Sequence, residues 1–181
     1  MVVDETKLIY DNNIINRSII DTILTIKIPS EFSLESIIIS YSEEDDSYIF
    51  HIKGKTSLYD RTYKFTKCKS DLNLSKLRES LRSKMRRISK KTSDDIDFLE
   101  KLSFSYNEYL QNLNDVLDHN KKIKDGLLAH WMCEPLPVPS IKSYITKKEI
   151  DRFINIKNDI SFDYLVDKYP ILRKEFSNAY K

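Results

Sequence analysis

The chain has 181 residues, of which 40% are hydrophobic and 32% charged, so it can bury a core in one domain or in one domain with a helical extension. Its 30 basic and 28 acidic side chains nearly cancel, which argues against non-specific nucleic-acid binding by bulk charge. The chain has two glycines, Gly54 and Gly126, too few for the loops with which most nucleotide-dependent enzymes cradle phosphate.

Cysteine content and hydropathy bear on the compartment. Two cysteines, Cys68 and Cys133, are too few for a disulfide scaffold and favour a reducing environment. The first residues carry acids and no apolar stretch of the kind found in signal peptides. No apolar run approaches the roughly 18 residues of a membrane-spanning helix. We therefore expect a soluble protein of the cytoplasm or nucleus with no membrane span.

The first elements are taken in chain order. Residues 1–18 form a polar segment, predicted to be a mobile tail or a short helix. Residues 24–28 alternate between apolar and polar side chains and are followed by Pro29, which predicts a strand. The short helix, if formed, would use four isoleucines: Ile14, Ile15, Ile19 and Ile20.

Three further strands are predicted, separated by short turns. Residues 36–41 contain three consecutive isoleucines, a run that suits a strand buried on both faces. The acidic residues 42–46 then form a turn, and residues 48–52 form the next strand. Gly54 and Lys55 predict a second turn before a strand at residues 62–66, with Tyr63 and Phe65 facing inward. Connections this short favour antiparallel pairing, so residues 19–92 should combine a β-meander with a basic helix.

After Ser70 the spacing of apolar residues changes to that of a helix. A polar stretch at residues 91–93 predicts a break, with Ser93 or Asp94 capping a second, long amphipathic helix over 93–134. The apolar residues of the first helix are Leu74, Leu77, Leu81, Met85 and Ile88. The second helix has a wide apolar stripe that could form a coiled coil or pack on several neighbours. Its candidate partner-binding residues are Leu99, Leu102, Tyr106, Tyr109, Leu110, Leu113, Val116 and Leu117.

The last segment, residues 135–181, is predicted to pack on the same domain. It begins with a proline-rich connector, because alternating prolines form an extended and semi-rigid chain. Thr146 and Glu149 have the spacing of a capping box that starts a short helix. Ser161 can cap a last helical piece before Pro170. The fold class expected is therefore α+β, with an N-terminal antiparallel meander of about four strands followed by long amphipathic helices.

Local charge is the sharpest feature of the sequence. Between Lys67 and Lys91, ten basic residues stand against two acidic ones, a local balance of +8. This pattern indicates a surface for the phosphates of nucleic acid or of an anionic membrane, or a solvated face that pairs with the acids at 43–46 and 94–97. No aromatic residue lies between 66 and 97, so contacts to the phosphate backbone are expected rather than base stacking. The candidate phosphate-binding residues are Lys76, Arg78, Arg82, Lys84, Arg86, Arg87, Lys90 and Lys91.

Other candidate sites have ordinary structural explanations. His130 and Cys133 are zinc-ligand types, but a structural zinc site takes four ligands, so no metal site is predicted. Cys68 lies between two lysines with no predicted base beside it, so no catalytic or cofactor-binding residue is predicted. Ser89 ends a basophilic kinase pattern that arises often by chance. Trp131 precedes the prolines and indicates either a docking segment or a connector packed on the core.

Two functions follow as expectations. The first is a non-enzymatic interaction or scaffold subunit of a larger intracellular complex, which binds protein partners as a hetero- or homo-oligomer through the long helix. The second is a nucleic-acid-binding protein that contacts the phosphate backbone through the basic helix at 76–91. No cofactor is expected for either.

Overall fold

A computed structural model describes residues 1–126 and 134–172 of the chain. These residues form an α+β protein with a four-stranded sheet near the N-terminus and a long helix after it, as the sequence predicts. The chain divides into two compact units, Met1–Asp94 and Asp95–Lys181.

The first unit contains the sheet. After a short 3-10 turn come the strand β1 (Leu8–Tyr10) and the helix α1 (Arg17–Leu24). Three longer strands follow: β2 (Ser33–Ser42), β3 (Ser47–Lys55) and β4 (Asp60–Cys68). The unit ends with the start of the helix α2 (Leu74–Lys124). The strand order is β1-β2-β3-β4. The pairs β2–β3 and β3–β4 are antiparallel, which confirms the predicted meander, whereas β1 pairs with β2 in parallel.

The strand predicted at residues 24–28 is wrong, and a helix accounts for the difference. Asn16 caps α1, because its side chain accepts a hydrogen bond from the Ser18 amide, and Ile19, Ile20 and Ile23 are buried. The helix extends to Leu24, and of the residues that follow, Lys27 makes only an isolated bridge to Val2. The apolar alternation at 24–28 is therefore shared between a helix end and an irregular segment.

The core of this unit lies on one face of the sheet. Ile37 and Phe50 from the strands and Leu81 and Met85 from α2 are completely buried. In the isoleucine run of β2, Ile37 and Ile39 are buried but Ile38 is exposed, so the expected burial of this strand on both faces is wrong. The sheet has one face in the core, and its side chains alternate accordingly. Tyr63 and Phe65 pack against the core as predicted.

The predicted turn at Gly54 and Lys55 is also wrong. Gly54 lies inside β3, opposite Arg61 of β4, and the ring of Phe32 occupies the space that a Cβ atom would need. Glycine is required there for close packing rather than for a turn. The turn follows at 56–59, where the Thr56 amide donates to the Tyr59 carbonyl at 2.8 Å.

No helix end occurs at residues 91–93, because α2 is one helix of 51 residues from Leu74 to Lys124. Thr92 is buried, and its hydroxyl bonds to the Ile88 carbonyl at 3.0 Å and to the Thr56 hydroxyl at 2.8 Å. The predicted cap at Ser93 or Asp94 is wrong for the same reason. A polar residue can lie inside a helix when its hydroxyl bonds to the preceding turn.

The second unit contains the rest of α2 and two shorter helices, α3 (Lys147–Asp159) and α4 (Phe162–Lys168). The predicted capping box is confirmed, because the Glu149 amide donates to the Thr146 side chain and the Glu149 carboxylate accepts from the Thr146 amide. Ser161 lies at the N-cap of α4 without a side-chain cap bond. Pro170 begins a short 3-10 turn.

Candidate nucleic-acid interface

The basic side chains of α2 surround the part of the helix that does not face the sheet. Leu77, Leu81 and Met85 turn one side of the helix into the core. At 3.6 residues per turn, the cations between these positions project from the rest of the helix circumference. Arg82 and Lys84 are half-buried, and the others are exposed: Lys76, Arg78, Arg86, Arg87, Lys90 and Lys91.

These cations have few acidic partners within the protein. The Arg82 guanidinium lies 4.0 Å from the Glu79 carboxylate, at the limit of an ion pair. Across residues 1–126 and 134–172, six of the eight lie within 4 Å of no carboxylate: Lys76, Arg78, Lys84, Arg86, Arg87 and Lys90. Two of the acids at 43–46, which could have neutralised this surface, hydrogen-bond locally: Asp45 accepts from the Ser42 hydroxyl and Asp46 from the Tyr41 hydroxyl.

Several cations elsewhere in the protein have carboxylate partners. Arg17 pairs with Glu5 at 2.6 Å, and Lys53 and Lys55 both pair with Glu35, at 2.9 and 2.7 Å. These contacts lower the pKa of Glu35, chiefly through the hydrogen bond from Lys55. Other exposed lysines, such as Lys64 and Lys101, also lie more than 4 Å from any carboxylate of the described residues, so the α2 cluster is distinguished by how many cations one stretch of helix carries.

A groove lies between this cluster and the edge strand β4. At one end it is lined by cations from both elements, Lys67 of β4 and Lys76, Lys84 and Arg87 of α2, and its volume is about 450 Å³. The side chains of Glu79, Ser80 and Ser83 complete this end. Lysine, arginine and serine side chains all donate hydrogen bonds, as a phosphate ligand requires.

A second recess of about 240 Å³ adjoins the first, because Lys84 and Arg87 line both. Here the β4 side supplies Tyr63, together with Tyr59 and Arg61. Ile88 and Lys91 complete the helix side. We call the two recesses together the β4–α2 groove.

At the aromatic end of the groove, the ring of Tyr59 contacts two cations. Tyr59 is buried, and both the Arg61 guanidinium, at 5.1 Å, and the Lys91 ammonium, at 4.6 Å, lie over its ring. Cation–π attraction holds such side chains in place. Tyr59 thus positions one cation from each wall of the groove.

Sequence reasoning missed the β4 side of this site. It assigned Tyr63 to the core and named no residue of β4 as a candidate ligand contact. The signal in the sequence is the alternation of Arg61, Tyr63, Phe65 and Lys67, which places these four side chains on one face of the strand. Alternation alone does not reveal that the basic helix runs beside that face.

The apolar stripe of α2 is largely covered within the chain. Of the eight candidate partner-binding residues, Leu99, Leu102, Tyr106 and Val116 are buried. Three more are half-buried (Tyr109, Leu110 and Leu113), and Leu117 is 48% exposed. Residues from the C-terminal half cover part of the stripe: the Tyr144 ring lies 5.7 Å from that of Tyr109, and its hydroxyl accepts a hydrogen bond from Asn112 at 2.6 Å.

The remaining candidates contribute little to a site. The Ser89 hydroxyl oxygen is buried without a hydrogen-bond partner, so a kinase cannot reach it in the folded helix. A hydrogen bond with Ser70 lowers the pKa of the Cys68 thiol. Among the described residues, no histidine that could act as its general base is hydrogen-bonded to this thiol. Trp131, His130 and Cys133 lie outside the described residues.

The described part of the chain contains neither a candidate metal centre nor a membrane-spanning helix. No group of three or more histidine, cysteine, aspartate or glutamate side chains is arranged to hold a metal ion. No helix there has the length and apolar character needed to cross a membrane. Comparisons with protein families, with functionally characterised proteins and with solved structures find no match to this chain.

Proposed function

We propose that this protein is a non-enzymatic nucleic-acid-binding protein that contacts the phosphate backbone through the basic cluster of α2. The observation that supports the proposal is the set of six clustered cations with no carboxylate within 4 Å among the described residues. Lysine and arginine side chains that meet phosphates release counterions, and this release dominates the affinity of most such interfaces.

Charge distribution gives the cluster a direction. The segment 67–91 carries a formal charge of +8, whereas the rest of the chain, with 20 basic and 26 acidic side chains, carries −6. A polyanion would therefore be attracted to one surface and repelled by the remainder. The near-zero total charge argued against nucleic-acid binding. The uneven distribution removes that argument, because a local positive surface attracts a polyanion even when the whole chain is nearly neutral. Such a protein would act in the cytoplasm or nucleus.

A salt titration with matched variants tests the proposal. We expect labelled DNA to bind with an affinity that falls steeply as salt rises, with a slope of about −0.7 to −0.9 for each phosphate neutralised. The double variant Arg86→Ala/Arg87→Ala should weaken binding about tenfold or more and make the slope shallower.

The control for this experiment is Lys101→Ala/Lys121→Ala, which removes the same charge from exposed positions further along α2. It should leave binding within about twofold of wild type, because Debye screening at physiological salt limits long-range effects to about 8 Å. Binding that ignores salt, or that both double variants weaken equally, would overturn the proposal.

A second candidate function is that of a protein-interaction subunit that associates through α2. The observation in its favour is the exposure of Leu117 beside the half-buried Leu110 and Leu113. Isolated apolar side chains are common on monomer surfaces, so this patch supports the idea less strongly than a fully open stripe would. A stable oligomer in light scattering, broken by Leu117→Asp, would favour this candidate.

A further inference from the structure

We propose that the β4–α2 groove holds an extended single strand of nucleic acid, with phosphates along its cationic end and a base at Tyr63. This inference rests on the proposed function and specifies the form of the ligand. It also specifies which part of the basic surface meets the ligand. Some cations of the α2 cluster line the groove, whereas Arg86 and Lys90 form an outer ridge. Neither ridge residue lines the groove.

The groove is long enough for a short single strand of nucleic acid. α2 runs antiparallel to β4, so that Lys76 lies opposite Lys67 at one end and Lys91 lies near Tyr59 and Arg61 at the other. From Lys76 to Lys91 the helix rises about 22 Å at 1.5 Å per residue. At about 3.4 Å for each nucleotide of a stacked strand, this length takes about six nucleotides, and fewer when the strand is extended.

The two ends of the groove differ in chemistry. The first end offers Lys67 and Lys76 together with the Ser80 and Ser83 hydroxyls, which suits phosphate oxygens. The second end adds a half-buried tyrosine ring, Tyr63. Proteins that bind single strands combine a cationic track for the backbone with aromatic rings on which bases stack.

A duplex does not fit these two features together. Its bases are paired and stacked inside, so a protein meets mainly phosphates on the outside unless it enters a groove of the DNA. Such a ligand would contact the outer ridge of Arg86 and Lys90 and leave Tyr63 unused. An anionic membrane presents a flat surface and would also contact the ridge. The recessed tyrosine between two rows of cations therefore favours a single strand.

One carboxylate, Glu79, is part of the lining that the structure describes. It lies 4.0 Å from the Arg82 guanidinium, which offsets part of its repulsion of phosphate.

The test compares two ligands and two surfaces of the protein. The probes are a labelled DNA single strand of about 20 nucleotides, longer than a single binding site of this class, and a duplex of the same sequence.

Tyr63→Leu removes the ring but keeps an apolar side chain, and we expect it to weaken single-strand binding about tenfold. Tyr63→Phe keeps the ring and should bind within about twofold of wild type. Arg86→Ala/Lys90→Ala changes the ridge alone and should affect the single strand less than Tyr63→Leu does. Thermal melting confirms that each variant is folded.

The outcomes separate this inference from the proposed function. Preference for the single strand, lost in Tyr63→Leu and kept in Tyr63→Phe, supports both. Equal or tighter duplex binding that depends on the ridge overturns the single-strand assignment and leaves the proposed function in place. Failure of both DNA probes to bind, with binding to vesicles that contain phosphatidylserine, overturns both.

Discussion

The two parts of α2 use charge in different ways, although they belong to one helix. Residues 74–94 carry eight basic and two acidic side chains, whereas residues 95–124 carry four basic and six acidic ones. In the second part, Lys122 pairs with Asp118 at 2.9 Å, and the buried Asp95 receives a hydrogen bond from Arg152 of α3 at 3.0 Å. In the first part, most cations have no carboxylate close by within the described residues.

This difference suggests how to test which cations stabilise the folded protein. A cation that pairs with a carboxylate inside the protein contributes to stability, and its removal should be felt in unfolding. A cation clustered with other cations contributes little to folding or opposes it slightly, so its removal should not lower the free energy of unfolding. Three predictions test this distinction, beyond the binding experiments described above.

The largest effect is expected for Arg152→Ala. The Asp95 side chain is only 7% exposed, and the Arg152 guanidinium both donates to it and lies 4.3 Å from the centre of the Phe98 ring. Removing the guanidinium leaves a buried carboxylate short of its cation, which should lower the free energy of unfolding by about 2 kcal/mol. Urea denaturation measures this loss. Lys148→Ala, at an exposed position of the same helix, is the control; equal effects of the two changes would contradict the structural role of Arg152.

The second prediction has the opposite sign. Arg86 lies four residues from both Arg82 and Lys90, so like charges repel along the helix. Arg86→Glu replaces this repulsion with favourable pairs and should raise the free energy of unfolding by about 0.5 kcal/mol at low salt. The gain should shrink as salt is added, because the charges are exposed. A loss of stability would show that Arg86 holds the fold, and would weaken the case for a ligand.

The smallest effect concerns Glu35 and depends on pH. Its pairing with Lys55 and Lys53 depresses the pKa of the carboxyl in the folded protein below its ordinary value of 4.5. A depressed carboxyl pKa stabilises the fold above that value, and the contribution is lost as pH falls through the folded-state pKa. Glu35→Gln should therefore melt slightly below wild type at neutral pH, and the two melting curves should converge in acid. A melting difference that persists at low pH would mean that the ion pairs are not its cause.

Local patterns predicted a large part of this fold. The alternation in residues 48–52 and the helical spacing of Leu77, Leu81 and Met85 each reflect one buried face, and burial of one face is a property of the element itself. The capping box at Thr146 and Glu149 is equally local, since both partners lie within four residues. Such features need no knowledge of what packs against them.

The errors arose where a distant neighbour determines the structure. Residues 91–93 resemble a helix end, but Thr92 is accommodated inside α2 because its hydroxyl bonds to the Ile88 carbonyl and also to the Thr56 hydroxyl, 36 residues away. Gly54 resembles a turn residue, and only the ring of Phe32 explains its place in a strand. The β4 wall of the groove escaped prediction for the same reason, because adjacency of Tyr63 to the basic helix is a tertiary property.

The buried hydroxyl of Thr92 also affects which positions of this sequence can change during evolution. Its hydrogen bond with the Thr56 hydroxyl joins α2 to the turn that leads into β4, and so it helps to fix the rotation of the helix relative to that strand. Exchange of the six cations without a nearby carboxylate in the described chain breaks no ion pair there, whereas a residue without a hydroxyl at position 92 loses both hydrogen bonds. On the proposed function, ligand preference would therefore change by single substitutions at these cations without altering the contact that orients the helix.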